Sequence, residues 1–240
     1  MPKQYYFQWQ TLFDGGDLDE RHVMTASRYN AVFFDFDGVL VESPAIKAAA
    51  FRSLYAEYGA QVENEAAAYH KANAGISRLI KIRHCHQALL GITLGDAELA
   101  ALGERYTAIV VEKVIACDWV PGAAGFLDAA RGALALFVVS GTPEEELQRI
   151  AARRGMTHTF VEVRGSPPGK EAIVRELLER HRLVPRRTLF IGDSLVDWQA
   201  AEACGLDFLG RVAPGHASPF PKGTRVVSDL KALDTVVALR

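Results

Sequence analysis

Three short apolar runs, each stopping at a polar side chain, constrain this sequence more than any other feature. Ala31-Val32-Phe33-Phe34 stops at Asp35, Leu134-Ala135-Leu136-Phe137-Val138-Val139 stops at Ser140, and Thr188-Leu189-Phe190-Ile191 stops at Gly192-Asp193. None alternates polar with apolar residues, so each reads as a parallel strand covered on both faces. Weaker strand candidates are residues 159–163, 207–210 and 225–227. Helical patterns lie between them at 125–131, 144–154, 170–181 and 195–204. Strands alternating with helices of this length imply right-handed βαβ units. The expected fold class is therefore α/β, a doubly wound and mostly parallel Rossmann-like sheet.

One stretch breaks the alternation. Residues 44–117 hold no convincing strand, only helical periodicity such as Ala48, Phe51, Leu54, Tyr55 and Tyr58. That is too long for a crossover and predicts an inserted α-helical cap domain. The expected organisation is an N-terminal extension at 1–30, a core built from 31–43 and 118–240, and the cap at 44–117. The two connections, near 39–43 and 118–122, would act as hinges. In the extension, Tyr5, Tyr6, Phe7 and Trp9 precede an acidic stretch from Asp14 to Glu20. It reads as a hairpin or arm packed on the body, or as an interface whose aromatics anchor a partner. The oligomeric state stays open between those two.

Composition serves to exclude. With 27 basic and 29 acidic residues the formal charge is −2, which argues against an extended nucleic-acid footprint. No apolar run approaches the length of a membrane helix, and no secretory signal is visible at the N-terminus. Cys85, Cys117 and Cys204 are scattered and odd in number, as expected of reduced thiols in a cytoplasmic protein.

The polar strand ends carry the chemistry. In open α/β sheets ligands bind beyond the carboxyl ends of the strands, where strand order reverses. Asp35 is placed to act as a nucleophile that accepts a phosphoryl group. A turn at Gly38 would bring Asp37 alongside it as general acid and base. Asp193 and Asp197, four residues apart, would share a face if a helix began there. Carboxylates gathered this closely repel one another unless a cation intervenes, and Mg²⁺ is the natural one. Ser140-Gly141-Thr142-Pro143-Glu144-Glu145 looks like a helix start. Thr142 would be the N-cap, Pro143 the first helical residue and Glu145 the return partner of a capping box. Its free N–H groups and the Ser140 hydroxyl would cradle phosphate. Lys170 opens another helix and would neutralise phosphate charge.

These segments, in this order, resemble the haloacid dehalogenase superfamily of aspartate-nucleophile phosphohydrolases. Asp35-Phe36-Asp37-Gly38-Val39-Leu40 is similar to its first motif, Ser140 to the second, Lys170 to the third, and Gly192-Asp193 with Asp197 to the fourth. The resemblance implies Asp35 as nucleophile, Asp37 as general acid/base, and Ser140 and Lys170 as phosphate holders. It implies Mg²⁺ held by Asp35, the Asp37 backbone carbonyl and Asp193, with Asp197 in support. The helical insertion resembles the cap of the phosphoglycolate phosphatase and β-phosphoglucomutase branch. Within it, Gly75-Ile76-Ser77-Arg78 is similar to a loop that reaches substrate in those relatives. Ser77 and Arg78 are thereby implied as substrate-binding, since the planar guanidinium suits phosphate or carboxylate. The expected partner is a small phosphorylated metabolite, such as phosphoglycolate or a sugar phosphate.

An acid at position 37 argues against dehalogenase or phosphonatase chemistry. Gly192, where mutase-like relatives tend to carry Glu, favours a phosphatase over a phosphosugar mutase. A non-catalytic regulatory protein using the N-terminal arm is a third reading, against which the full set of catalytic residues counts. His84-Cys85-His86 does not suggest a metal site, because adjacent helical positions point apart.

Overall fold

The computed structural model describes residues 27–237. The expectations for the aromatic and acidic arm fall on residues outside that range. Six parallel strands form one sheet in the order β3-β2-β1-β4-β5-β6. They are β1 (Ala31–Phe34), β2 (Ala135–Pro143), β3 (Glu162–Ser166), β4 (Thr188–Gly192), β5 (Asp207–Arg211) and β6 (Val226–Val227). The order reverses at β1, which pairs with β2 on one side and β4 on the other.

Burial explains why β1 is wholly apolar. Val32 and Phe34 enter a core beneath α5 (Ala123–Ala130), α6 (Glu144–Arg153) and α9 (Leu233–Val237). Ala31 and Phe33 enter a second core with residues of α7 (Lys170–Arg180) and α8 (Leu195–Cys204). Phe33 stands edge-on to Phe137 at 4.9 Å and to Phe190 at 6.4 Å between ring centroids. A strand lined on both faces has no room for a polar side chain until it ends, and it ends at Asp35.

Two strands depart from expectation. β2 continues through Ser140, Gly141 and Thr142 to Pro143 instead of stopping before Ser140. β3 starts at Glu162, three residues later than expected, because Thr159 and Phe160 lie in the preceding turn. This edge strand is polar, with Arg164 paired to Glu144, Glu162 and Glu176, so it carries little hydrophobic signal.

Between β1 and β2, α1 (Pro44–Leu54), α2 (Ala60–Ala72), α3 (Arg78–Cys85) and α4 (Asp96–Ala116) form a helical lobe, with a π turn at His86–Leu90. Phe51 and Tyr55 are completely buried in it. Its core is continuous with the sheet's upper core. The two connecting segments pair with each other: Glu42 donates to the Asp118 carbonyl at 2.9 Å, and Val120 to that of Leu40 at 3.0 Å. Arg211, at the end of β5, secures this ribbon by donating to Glu42 and to the Gly38 carbonyl. Among the described residues no helix is long and apolar enough to cross a membrane.

The layering yields a stability test. Phe33→Ala, at a fully buried position, is expected to cost about 3–5 kcal/mol. Ile80→Ala, at a position 59% exposed, should cost no more than about 0.5 kcal/mol. Urea unfolding followed by circular dichroism measures both; comparable losses would contradict the layering described.

Candidate active site

The carboxyl ends of β1, β2 and β4 and the underside of the helical lobe enclose a cavity of about 240 Å³. Asp35, Asp37, Ser140, Gly141, Thr142 and Asp193 line its floor, and Lys47, His70, Gly75, Arg78, Lys81 and Tyr106 line its walls and roof.

Asp35 prolongs β1, its N–H donating to the Ile191 carbonyl at 2.9 Å. Its Oδ1 accepts from the Phe36 N–H at 2.7 Å and lies 2.9 Å from Lys170 Nζ. Oδ2 takes no hydrogen bond among the described residues, which leaves one oxygen oriented but uncommitted. After Phe36 the chain turns sharply, with Gly38 N–H donating to the Val41 carbonyl at 2.8 Å. Gly38 has φ +75°, and a Cβ there would fall 2.1 Å from Asp193 Oδ2. Only glycine tolerates both that backbone and that approach. The turn directs Asp37 back toward the cavity, where its Oδ1 accepts from Ser43 Oγ at 2.5 Å and its Oδ2 from Thr142 Oγ1 at 3.0 Å. Lys47 Nζ, from α1, also binds Asp37 Oδ2 and donates to Thr142 Oγ1 at 2.7 Å.

Lys170 is the first residue of α7 and is 3% exposed. It lies beneath the floor instead of lining the cavity, with Nζ bridging Asp35 Oδ1 and Asp197 Oδ1, the latter at 2.6 Å. Asp197 is committed on its other side as well: Oδ2 accepts from Ser194 N–H at 3.0 Å and Ser194 Oγ at 2.5 Å. That is a capping box with Ser194 as N-cap of α8. The shared helix face expected for Asp193 and Asp197 is therefore corrected, because the helix begins only at Leu195 and Asp193 precedes it. The two still converge, and oxygens of Asp35, Asp193 and Asp197 lie within 4.8 Å of one another.

Electrostatics follow from this crowding. Burial first, then the charges of Asp197 and Asp37, lifts Asp35 to about 7 although Lys170 pulls it down. Burial and the neighbouring Asp35 and Asp197 hold Asp193 well above the carboxylate range. Burial would raise Asp37 too, but Lys47 and the Ser43 and Thr142 hydroxyls outweigh it and keep Asp37 below that range. Burial works against the Lys170 ammonium, and Asp197 and Asp35 more than restore it. Two carboxylates that resist ionising side by side, offering only hard oxygen donors, fit a divalent cation of the Mg²⁺ kind.

The helix-start reading of residues 140–145 is also corrected. Pro143 is the N-cap of α6, with no side-chain cap, and the helix begins at Glu144. Thr142 is still in the strand, so its hydroxyl serves Asp37 instead of the helix end. Ser140 Oγ accepts from Thr142 N–H at 3.2 Å. The candidate phosphate cradle is thus strand-end backbone, not a helix terminus.

The loop Gly75-Ile76-Ser77-Arg78 does meet the floor. A Cβ on Gly141 would fall 2.5 Å from the Gly75 carbonyl oxygen, and one on Gly75 would fall 2.5 Å from Ser194 Oγ. The two implied ligand residues behave differently from expectation. Ser77 is the N-cap position of α3 and does not line the cavity. Arg78 lines it but is 6% exposed, and its guanidinium forks onto both oxygens of Glu146 on α6. Nη1 also donates to Thr107 Oγ1 at 2.7 Å, and the Tyr106 ring centroid lies 4.6 Å from the guanidinium carbon. A guanidinium so engaged ties lobe to core. Sequence reasoning missed Lys47, Glu146 and Lys81; Lys47, ten positions after Asp37, belongs to no motif. In the His84-Cys85-His86 segment, His84 stacks on Tyr69, Cys85 is buried and His86 Nδ1 lies 2.9 Å from the Tyr55 hydroxyl.

A parallel sheet with acidic strand ends beneath a helical roof defines an enzyme-like site on a three-layer α/β fold. The family model of haloacid dehalogenase-like hydrolases matches residues 29–205, and the chain belongs to that family. The chain is 28% identical over 193 residues to phosphoglycolate phosphatase of Pasteurella multocida (strain Pm70), covering 77% of this chain and 86% of that protein. It is 27% identical over 134 residues to 6-phosphogluconate phosphatase of Escherichia coli (strain K12), covering 56% of this chain and 58% of that one. Among solved structures, a predicted phosphoglycolate phosphatase from Haemophilus somnus 129pt superposes with a TM-score of 0.69 at 21% identity, covering 88% of this chain and 98% of that chain. The family is one of hydrolases, and the first two of these relatives are phosphatases.

The Arg78–Glu146 pair generates a prediction. Arg78→Ala strands a buried carboxylate and is expected to destabilise the fold by about 3–5 kcal/mol. Arg78→Met with Glu146→Met together should recover most of that loss in urea titration. A double variant as unstable as Arg78→Ala would show that the pairing is not what matters.

Proposed function

We propose that this protein is a Mg²⁺-dependent phosphatase acting on a small phosphorylated metabolite, such as phosphoglycolate or a sugar phosphate, through a phosphoryl group carried on Asp35. The observation that carries the reading is the state of Asp35, a cavity-lining residue: one oxygen is anchored by Phe36 and Lys170, and the other takes no hydrogen bond among the described residues.

Asp35 Oδ2 attacks phosphorus, and the bond from phosphorus to the ester oxygen breaks. Asp37, held at a fixed angle by Ser43, Thr142 and Lys47, gives its proton to that oxygen, so the leaving group departs as an alcohol. An arriving phosphate dianion favours this protonated state of Asp37 by like-charge repulsion. In the second step Asp37 takes a proton from water, whose oxygen attacks phosphorus. The bond to Asp35 breaks, inorganic phosphate leaves and both carboxyl groups are regenerated. Ser140, Gly141 and Thr142 hold the phosphoryl oxygens at the end of β2, and Lys170 aims Asp35 and opposes the burial that disfavours its charge. Asp35, Asp193 and the Asp37 backbone carbonyl would hold Mg²⁺, with Asp197 supporting through Lys170 and Ser194. When bound, the ion supplies charge neutralisation of the carboxylates and of the phosphate.

Two tests follow. Asp35→Asn should lower kcat by at least about 10⁴-fold on every phosphoester hydrolysed, as loss of a nucleophile does. Wild-type-like turnover in that variant would overturn the assignment. Asp37→Asn should cost about 10²–10⁴-fold on alkyl phosphates, the range of general acid–base catalysis. In kcat/KM, which reports the first phosphoryl transfer, the loss should be smaller on p-nitrophenyl phosphate, whose leaving group needs no proton; equal losses in kcat/KM would exclude Asp37 as the acid. Activity should vanish with EDTA and return with Mg²⁺. Inorganic phosphate must be the product, since return of the phosphoryl group to a sugar would instead indicate a mutase.

A further inference from the structure

The described residues bury four cationic side chains almost completely: Arg78, Lys81, Lys170 and Arg211. Arg78 has Glu146, Lys170 has Asp35 and Asp197, and Arg211 has Glu42. Lys81, 5% exposed, has no carboxylate among the described residues. The only hydrogen bond of its side chain there is a long one, 3.3 Å, to the Asn73 carbonyl. It sits on α3 and lines the cavity wall above the carboxylate floor.

An ammonium group taken out of water without an anion is costly, and proteins retain such a group where something charged comes to meet it. A second polar group in the same wall is also unspent. His70 Nδ1 is buried with no hydrogen-bond partner among the described residues. The cavity therefore offers two separate sets of polar groups. The strand ends take the phosphoryl group, and the lobe presents Lys81 and His70 to whatever the phosphoryl group is attached to.

We propose that Lys81, with His70 beside it, forms a second anion subsite in the cavity, so that the substrate is a phosphomonoester whose short tail carries a further negative group, a carboxylate or a second phosphate. The subsite rests on the hydrolytic reading above only for the location of the phosphoryl group. It replaces the role expected of Arg78, which Glu146 has already taken. Burial, with Lys47 and Arg78 nearby and Asp37 opposing them, brings Lys81 down to about 7 when the cavity holds no anion. Burial likewise keeps His70 neutral, down at about 3. A bound anion would restore the ammonium fully, and the neutral imidazole would supply a hydrogen bond without adding charge.

The experiment uses binding as well as turnover. The Asp35→Asn protein, in Mg²⁺, is titrated calorimetrically with 2-phosphoglycolate, ethylene glycol bisphosphate, 2-hydroxyethyl phosphate and phosphoethanolamine. These share a two-carbon spacer and differ in the charge of the tail. An anionic tail is expected to bind about 30-fold or more tightly than the neutral one, the size of one charge-assisted contact, and the cationic tail should bind most weakly. Whichever anion binds better, carboxylate or phosphate, identifies the natural tail. Adding Lys81→Gln or Lys81→Met should erase the preference, and Lys81→Arg should keep part of it. Equal affinity for anionic and neutral tails would overturn the proposal, as would a preference that survives Lys81→Gln. So would a fold lost on circular dichroism in both Lys81→Gln and Lys81→Met but kept in Lys81→Arg, since Lys81 would then be a structural cation. Turnover is measured separately with the enzyme carrying Asp35. Failure to hydrolyse any of these phosphoesters would count against the hydrolytic reading while the binding preference stood.

Discussion

Lys170 holds the floor of this molecule together. Three carboxylates from two strand ends and one helix start meet within a few ångströms, and a buried cluster of that kind cannot stay ionised unaided. The Lys170 ammonium lies below them, touching Asp35 and Asp197. Through Asp197 it reaches the Ser194 cap of α8, so the charge that steadies Asp35 also fixes where that helix begins. The remaining excess of negative charge lies on the cavity side, at Asp35 and Asp193, where a divalent cation fits. The floor thus keeps a permanent cation underneath and leaves its oxygen donors clustered above.

The roof is secured by different means. Gly75 and Gly141 allow two backbones to meet where side chains would collide. Arg78 spans from the lobe to Glu146 of the sheet layer. Lys47 reaches from the first helix of the lobe to Asp37 and Thr142. Gly141 and Lys47 couple the lobe's position to the floor and Arg78 couples it to α6, so the placing of the lobe and the orienting of Asp37 by Lys47 are parts of one arrangement. The paired connecting segments at 40–42 and 118–120 are where such a lobe would pivot, with Arg211 bracing one of them.

Much of the fold was legible because its strongest signals are local. β1 needs apolar residues on both faces, and Ala31–Phe34 shows that in four letters. The bounds of α8 follow from Ser194 before it, Asp197 in its first turn and Gly205 after it. β3 was misplaced because an edge strand stabilised by Arg164 and three glutamates does not look like a strand. Thr142 was misread for a related reason. Its position before Pro143 suits a helix cap, and only the continued pairing of β2 with β3 decides that the helix begins later. Lys47 and Lys81 were invisible, since a lysine on a helix reads as solvated surface until a cavity forms around it.

The sequence alone determined the acidic chemistry of the floor. Asp35 and Asp193 directly follow buried strands, and parallel strands leave such residues at one edge of the sheet wherever the rest of the chain goes. Tertiary structure alone decided what each cation serves. Arg78 and Glu146 are 68 positions apart, and Lys47 and Thr142 are 95 apart. No local pattern encodes pairs so distant, because they come into being only when lobe and sheet pack. Packing assigned Arg78 to a carboxylate and left Lys81 without one, and that difference shapes the cavity's preference for what it binds.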